Sequence, residues 1–347
     1  MKKLSKVVAL TLLASLSANA VGLVNPASSS VSYAAQELDF GINTDKFKSQ
    51  SLTLNLKQDE ASRKASIAAR NKIRSDMWDK NVPYTLSDKS NQKNTKLRDC
   101  LREFGINSKE EYLNQTKWST GLEKIAIQRT YELYISGLSH TRPDGSDCMD
   151  AVLPDGTESF GEIIAYETTP YTPYRAFEQW TYTPYDGKSE YDQLIASNGV
   201  FNADNGHLHL ILNPELEYMG HCVINNNNGK NYTTAIFGYG DSTGNKSVGL
   251  VGTYTMYFGK DKAKIKENES KKIENETKDK NKGAEISEQT RQELEKAIYE
   301  NRLQIDAVNF LLENAANKIK HVRDKVEKLL KESEELIKEA EKILGIA

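Results

Sequence analysis

The segment KDKAKIKENESKKIENETKDKNKGA, at residues 260–284, constrains the fold of this 347-residue chain more than any other feature. It contains almost no large apolar side chains, so it cannot bury enough surface to offset the entropy that a chain loses on ordering. We therefore predict an extended, charged and disordered linker over residues 261–284. This linker would separate a long N-terminal part from a unit at residues 285–347.

The N-terminus has the three parts of a secretory signal. Lysines precede the apolar run VVALTLLASLSANA, which ends in the small-residue cleavage pattern Ala18-Asn19-Ala20. The run is shorter than the roughly 20 residues that span a bilayer. The pattern predicts a signal peptide over residues 1–20, with an alternative cut after residue 35, and a chain that is secreted to the extracellular space or held at the cell surface.

Residues 21–60 are rich in Ser, Asn and Lys with weak periodicity, and we interpret them as a leader or linker.

Three cysteines occur in the chain, and their spacing matches no zinc motif. They are Cys100, Cys148 and Cys222. In an exported protein one pair could form a disulfide and leave one thiol over. Three buried or reduced thiols are equally compatible with the sequence.

Helical patterns dominate from residue 61 to about residue 138. The segment SKEEYLNQTKW begins with Ser108 as a candidate N-cap and Glu111 at the capping-box position. The strongest pattern is GLEKIAIQRTYELYISGLSH, where apolar residues and Arg129 follow helical spacing and Gly137 marks the end.

The pattern changes to turns, aromatic residues and β-formers between residues 141 and 260. TTAIFGYGD and VGLVGTYTMYFG alternate and are typical of strands. Helices first and strands later, without a repeating strand–helix alternation, predict an α+β domain.

The unit at residues 285–347 carries a heptad stripe of apolar residues, from Leu294 to Ile343, that predicts a coiled-coil seam. The weaker stretch ENAAN at residues 313–317 would allow the chain to fold back into a helical hairpin. One long dimerising helix is the alternative, and so is a stripe that covers another part of the same chain.

Histidines and one carboxylate mark the candidate site. His140 precedes the Pro-Asp-Gly turn of SHTRPDG, and Glu162 lies in the apolar segment FGEIIAYE, where a carboxylate is either paired or protonated. In GHLHLILNP, His207 and His209 would share a face if the segment were a strand, as in a metal-ligand pair. They would point apart if it were a helix, and the local pattern does not decide between the two.

The order of these segments resembles the bacterial branch of the CAP superfamily, whose domain is also called the SCP domain and which includes cysteine-rich secretory proteins, antigen 5 and pathogenesis-related proteins. The resemblance covers residues 61–260. It is carried by LEKIAIQRTYELYISGLSHTRPDG, GEIIA, Trp180, GHLHLILNPELEYMG and AIFGYG, in the family's order. It implies an α-β-α sandwich with a central antiparallel sheet, and a helix for GHLHLILNP.

The resemblance also implies one central cleft lined by two histidines and two glutamates. Carried over, three of these are His140, Glu162 and His207, which together could bind a divalent metal such as zinc, hold a water molecule or stabilise one another. The second glutamate is Glu178 or Glu190, and Glu190 is favoured because an aromatic residue follows it.

Three departures from the family pattern bear on this site. Ile163 replaces the Asn of GEN, and Leu208 replaces the Arg of GHR. A tyrosine-rich insertion, TYTPYDGKSEYDQL, lengthens the segment between Trp180 and His207 and is expected to reshape the rim of the cleft. His209 and His221 match no site position, and we interpret both as structural or surface residues.

The resemblance favours an extracellular binding or effector module, with a lipid or protein ligand in the cleft, over an enzyme. The alternative is a metal-dependent hydrolase or protease that uses His140, Glu162 and His207.

A net charge of −3 gives no electrostatic reason to expect a nucleic-acid partner. The C-terminal helices would provide a homo-oligomer contact or a cell-surface attachment.

Overall fold

The computed structural model describes residues 35–86, 95–226, 229–240 and 243–269, together with isolated helical positions from 295 to 341. Two compact units result: Ala35–Ser270, and a second unit that holds the described positions beyond residue 294. The predicted signal peptide at residues 1–20 lies outside the described residues. Within the described part, none of the helices combines the length and the apolar character that crossing a bilayer requires.

Eight helices occur in the described part of the first unit, and the last of them covers residues 262–269. The other seven are α1 (Glu60–Lys80), α2 (Leu97–Glu103), α3 (Lys109–Asn114), α4 (Thr120–Ser136), α5 (Pro173–Tyr182), α6 (Glu190–Ala196) and α7 (Gly206–Leu212). Short 3₁₀ turns occupy Cys148–Asp150 and Ala203–Asn205. Two local predictions are confirmed: Ser108 and Glu111 form the capping box of α3, and α4 ends at Gly137, whose φ of 86° favours glycine.

The strands form two sheets. They are β1 (Gln36–Glu37), β2 (Gln50–Gln58), β3 (Lys117–Trp118), β4 (Gly161–Glu167), β5 (Tyr218–Asn225), β6 (Asn231–Gly238) and β7 (Leu250–Phe258). One sheet has the order β3-β5-β6-β4, and the other has the order β1-β7-β2. The β3–β5 and β1–β7 pairs are parallel, and the remaining pairs are antiparallel.

Helices cover both faces of the four-stranded sheet, so the α+β class is confirmed. One face packs against α1, α5 and α7 around Ile163, Ala235 and Phe237. The other face packs against α4, and this second core continues into the three-stranded sheet through Leu54, Leu56 and other apolar residues. The resemblance implied a single central antiparallel sheet, whereas the structure has two sheets that include parallel pairs.

The interpretation of residues 21–60 as a leader or linker is wrong for residues 35–60. Strand β2 pairs along its whole length with β7, from Gln50 opposite Phe258 to Gln58 opposite Leu250. Within LTLNLK, Leu54 and Leu56 are buried while Asn55 is exposed, which is the period-two pattern of a half-buried strand. The polar composition of the flanking residues obscured this alternation.

The extended linker predicted for residues 261–284 is also wrong at its start. Residues 262–269 are helical. Ion pairs connect this helix to the segment near β1, where Lys262 lies 3.4 Å from Asp39 and Lys266 contacts Glu37. Opposite charges on a neighbouring segment therefore order residues whose composition alone predicts no structure. Residues 270–284 lie outside the described part.

The described positions of the second unit are helical. Ile298 and Ile337 are buried, and Arg302 forms an ion pair with Glu341, 39 residues further along the chain. At about 1.5 Å per residue, one continuous helix would hold these two side chains about 58 Å apart. The contact favours the hairpin over a single long helix, and the coiled-coil assignment stays a prediction.

Candidate functional site

The first half of the candidate site lies just beyond the end of α4. His140 Nδ1 is 2.9 Å from Glu162 Oε1. The Glu162 side chain is 1% exposed and that of His140 is 53% exposed, so a buried carboxylate fixes an imidazole at the surface. The following turn is closed by a hydrogen bond from the Arg142 amide to the Ser146 carbonyl, with Gly145 at a φ of 86°.

Glu162 is held by an arginine as well as by the histidine. Arg129 Nε donates to Glu162 Oε2 at 2.7 Å, and Arg129 Nη2 donates to Oε1 at 3.2 Å. Burial acts to raise the pKa of Glu162, but the hydrogen bonds from His140 and Arg129 and the charge of Arg129 outweigh it and leave that pKa below its ordinary value. Glu162 is therefore ionised. Because a carboxylate only accepts hydrogen bonds, His140 donates its Nδ1 hydrogen, and its Nε2 is not part of this contact.

The network continues to a second carboxylate and a second arginine. Arg129 Nη1 donates to Glu132 Oε2 at 2.5 Å. Arg142 Nη2 donates to Glu132 Oε1 at 2.9 Å, and Arg142 Nε donates to Oε2 at 3.1 Å. Arg142 belongs to SHTRPDG, so this bidentate pair ties the turn after His140 to α4.

The second half of the site joins α6 to α7. His207 Nδ1 lies 2.5 Å from Glu190 Oε1, and the Leu208 amide donates to Glu190 Oε2 at 2.8 Å. Glu190 thus contacts both the side chain and the backbone at the start of α7. Glu178, the other candidate for the second glutamate, lies 3.6 Å from Lys72 in an exposed ion pair.

The two halves flank strand β4, which is the edge strand of its sheet. Glu162 faces α4 through its bonds to Arg129. Gly161 faces α7, where a Cβ atom would come within 3.0 Å of the Leu210 side chain. The structure therefore pairs His140 with Glu162 beside α4, and His207 with Glu190 between α6 and α7. It does not gather His140, His207 and Glu162 into one close ligand group.

Another group of potential metal ligands is close together. A ring nitrogen of His140, Cys148 Sγ and a Glu162 oxygen lie within 4.8 Å of one another, and the described residues contain no other such group of three. These donors fit a metal poorly. Burial, and then the nearby charge of Glu162, raise the pKa of the Cys148 thiol, and both Glu162 oxygens already accept hydrogen bonds.

Two further donors that could each bind a divalent metal are the Nε2 atoms of His140 and His207, because both imidazoles use Nδ1 for their carboxylate contacts. Each imidazole is bonded to a carboxylate through Nδ1, the arrangement that orients metal-binding histidines in zinc sites. In such a site Glu162 and Glu190 would orient the two ligands and would not bind the ion themselves.

The two remaining described histidines are buried and have structural contacts. His209 stacks on Tyr84 with ring centroids 4.4 Å apart, and burial lowers its pKa to about 4. His221, on β5, lies 2.8 Å from both Ser66 Oγ and Thr233 Oγ1, and burial lowers its pKa to about 3. Both rings stay neutral in the folded protein at neutral pH.

All three cysteines are buried, and none forms a disulfide. The structure therefore favours the reduced state over a disulfide. Cys222 lies within the four-stranded sheet, where burial raises the pKa of its thiol to about 12.

Arg129, Glu132 and Arg142 are the members of this network that the sequence analysis did not identify. One signal was present, since Arg129 occupies a position on the otherwise apolar stripe of α4. A charged residue on a core-facing stripe requires a buried partner. The pattern could not show that the partner would be Glu162, 33 residues away.

Residues 68–237 match the CAP family, described as the cysteine-rich secretory protein family. No curated protein and no solved structure matches the chain. The matched segment contains α4, β4 and α7, and hence both histidine–glutamate pairs. Together with the mixed α+β fold, the match supports assigning this domain to the CAP superfamily.

Proposed function

We propose that this protein is an extracellular binding module whose ligand site lies at the edge of β4, between His140 and His207. The observation that carries the proposal is the matched pair of imidazoles. Each is held by a carboxylate through Nδ1 and leaves Nε2 available to a ligand. In this proposal the N-terminal signal exports the chain.

The carboxylates of Glu162 and Glu190 already accept hydrogen bonds on both oxygens, which favours binding over catalysis. A metal-dependent hydrolase needs a carboxylate that is free to act as a base. Both oxygens of Glu162 accept from Arg129 and His140, and both oxygens of Glu190 accept from α7. Cys148 is protonated, so it does not supply a thiolate nucleophile.

The cation that the site would take is a divalent metal such as zinc, since two neutral imidazole nitrogens are typical zinc ligands. The bound ion would polarise or anchor a lipid or protein ligand at the β4 edge. The helical tail would attach the module to a surface or to a second copy, so that it acts through avidity.

Isothermal titration calorimetry of the full chain with zinc chloride tests this site. We expect one zinc per chain, and at least tenfold weaker binding in His140→Gln and in His207→Gln, about 1.4 kcal/mol each. The matched control is Glu178→Gln, which removes an exposed carboxylate on a neighbouring helix and should leave the affinity unchanged. A wild-type chain that binds no zinc would show that the histidines do not form a metal site.

Catalysis is tested separately with a broad peptide panel. The binding-module proposal expects no turnover with or without zinc. Turnover that stops in Glu162→Gln, in a variant whose folding is verified by circular dichroism, would identify the protein as a hydrolase.

Light scattering on the full chain tests the tail, where a monomeric mass would exclude self-association.

A further inference from the structure

A pocket lies beside the N-terminal end of α4, at the opposite end of this helix from His140. It encloses about 510 Å³ and is lined by Arg63, Ile67, Lys117, Trp118, Tyr218 and Asn245, among others. Helix α4 has 17 residues and is therefore about 25 Å long, with the pocket near its start and His140 beyond its end. The volume lies in the range of small-molecule sites, about 300–1,000 Å³.

Two cations line the pocket and keep donor capacity. Arg63 uses Nε to bond Glu60 Oε2 at 2.7 Å, and among the described residues its two Nη groups meet no acceptor. Lys117 contacts Glu217 and lies 5.3 Å from the centre of the Tyr218 ring. A guanidinium with free Nη groups can bind a carboxylate or phosphate with two hydrogen bonds.

Two further cations are buried along the same helix, and one of them, Arg74, donates to the pocket residue Thr116 at 3.3 Å. Arg70 and Arg74 follow Arg63 by seven and eleven residues, so all three lie on one side of α1. Both are completely buried. They donate only to backbone carbonyls and one threonine hydroxyl, such as Arg70 Nη2 to Leu216 at 2.7 Å, and no described carboxylate forms an ion pair with either.

Two carboxylates pair with the cations that line the pocket, and a third carboxyl group lies beside them. Glu60 and Glu217 each lie against one of the lining cations. Glu123 lies beneath the pocket wall, where the Trp118 indole donates to it at 3.1 Å. Each lining cation therefore has one carboxylate partner, and the two buried arginines add positive charge that no described carboxylate pairs with.

We infer that this pocket binds a small organic anion. A carboxylate or phosphate ester would bind Arg63 and Lys117, and a planar or apolar body would pack against Ile67 and Tyr218. Asn245, on the loop before β7, would provide a neutral hydrogen-bonding group at the rim. The inference is independent of the proposed function, because it uses none of the residues of the histidine site.

Amide chemical-shift titration of the full chain tests the pocket, with benzoate, phenyl phosphate and the neutral benzyl alcohol as probes. We expect saturable shifts at Lys117, Gly244 and Asn245 with at least one of the two anions, and none with benzyl alcohol. The stronger anion identifies the group that the pocket prefers. Inorganic phosphate should bind more weakly than phenyl phosphate, because it lacks the apolar body.

Variants assign the binding to these residues. Arg63→Gln and Lys117→Gln should each raise the dissociation constant of the stronger anion at least tenfold. The matched control is Arg175→Gln, which removes an arginine of α5 that pairs with Glu167 of β4. It should change the dissociation constant less than twofold. The double variant His140→Gln/His207→Gln should bind the anion as the wild type does.

The inference is overturned if neither anion saturates these shifts at 20 mM. It is also overturned if Arg63→Gln and Lys117→Gln bind the anion no more weakly than Arg175→Gln. Two independent substitutions keep the test decisive if one of the two variants does not fold.

Discussion

Two pairs of buried arginines are stabilised in different ways within the same domain. Arg129 and Arg142, near the C-terminal end of α4, bind the carboxylates of Glu132 and Glu162. Arg70 and Arg74, on α1, donate to carbonyl groups such as that of Ile211, which both arginines contact. The first pair is neutralised by carboxylates, whereas the second is solvated by backbone carbonyls, one threonine hydroxyl and the faces of two aromatic rings.

The difference shows what each pair contributes. The charge-paired network fixes the direction of a side chain, since Glu162 in turn holds His140. The carbonyl-bound pair ties together the chain that connects α7 to β5, because its acceptors include the carbonyls of Ile211, Asn213 and Leu216. Burial lowers the pKa of Arg70 and that of Arg74, which marks the cost of solvating a cation without an anion.

Glu132→Gln should produce the largest effect, because it leaves the buried guanidinium of Arg142 without a carboxylate and that of Arg129 with Glu162 alone. We expect the free energy of unfolding to fall by about 3–5 kcal/mol. Urea unfolding followed by tryptophan fluorescence measures this, since Trp78, Trp118 and Trp180 all lie in the first unit.

The exposed control Glu178→Gln should change the same free energy by no more than about 0.5 kcal/mol. If Glu132→Gln lost less than about 1 kcal/mol, the charge-paired network would not be the stabilising feature inferred here.

In the described part of the chain, Glu123 is a buried acid without a cationic partner, as Arg70 and Arg74 are buried cations without an anionic one. Its hydrogen-bond partners, which include the Trp118 indole and the Val248 amide, are uncharged. Burial, opposed by these hydrogen bonds, raises its pKa from 4.5 to about 7. Between these two pKa values the folded state keeps the Glu123 proton while the unfolded chain releases it. The free energy of unfolding therefore contains the full contribution of Glu123 below pH 4.5 and loses it as the pH rises through about 7. The loss should approach about 3 kcal/mol.

The measurement is the difference in unfolding free energy between wild type and Glu123→Gln across this pH range. The variant cannot titrate at this position, so the difference isolates the contribution of Glu123. A difference that is constant with pH would show that Glu123 is already ionised in the folded protein.

Arg74→Met should have the smallest effect of the three. The substitution removes a desolvated cation and leaves no anion unpaired, but it exposes the carbonyls of Ile211 and Asn213 to an apolar side chain. We expect a loss of about 1–2 kcal/mol in urea unfolding. A loss as large as that of Glu132→Gln would contradict the distinction between charge-paired and carbonyl-bound arginines.

Local features were predicted well because their physics is local. Ser108 and Glu111 cap α3, and Gly137 ends α4, through interactions among residues that are neighbours in sequence. The resemblance similarly implied a helix for GHLHLILNP, and α7 is that helix. The site residues were proposed from ordered motifs, and their role in binding stays a prediction.

Features that depend on distant residues were missed or misassigned. Strand β2 is ordered by β7, about 200 residues later in the chain, and its polar composition concealed this pairing. The start of the predicted linker is ordered by acidic residues near β1. In both cases the partner that supplies the stabilising contact is remote in sequence.

The sequence by itself determined where α3 begins and where α4 ends, the α+β class and the identity of the histidines and glutamates worth testing. These follow from spacing, capping and motif order, which a linear chain carries. Only the tertiary structure decided that His140 pairs with Glu162 beside α4 and His207 with Glu190 between α6 and α7, and which buried arginines have carboxylate partners. The reason is physical: the state of a buried charge depends on the atoms within a few ångströms of it, and folding brings those atoms together from distant parts of the chain.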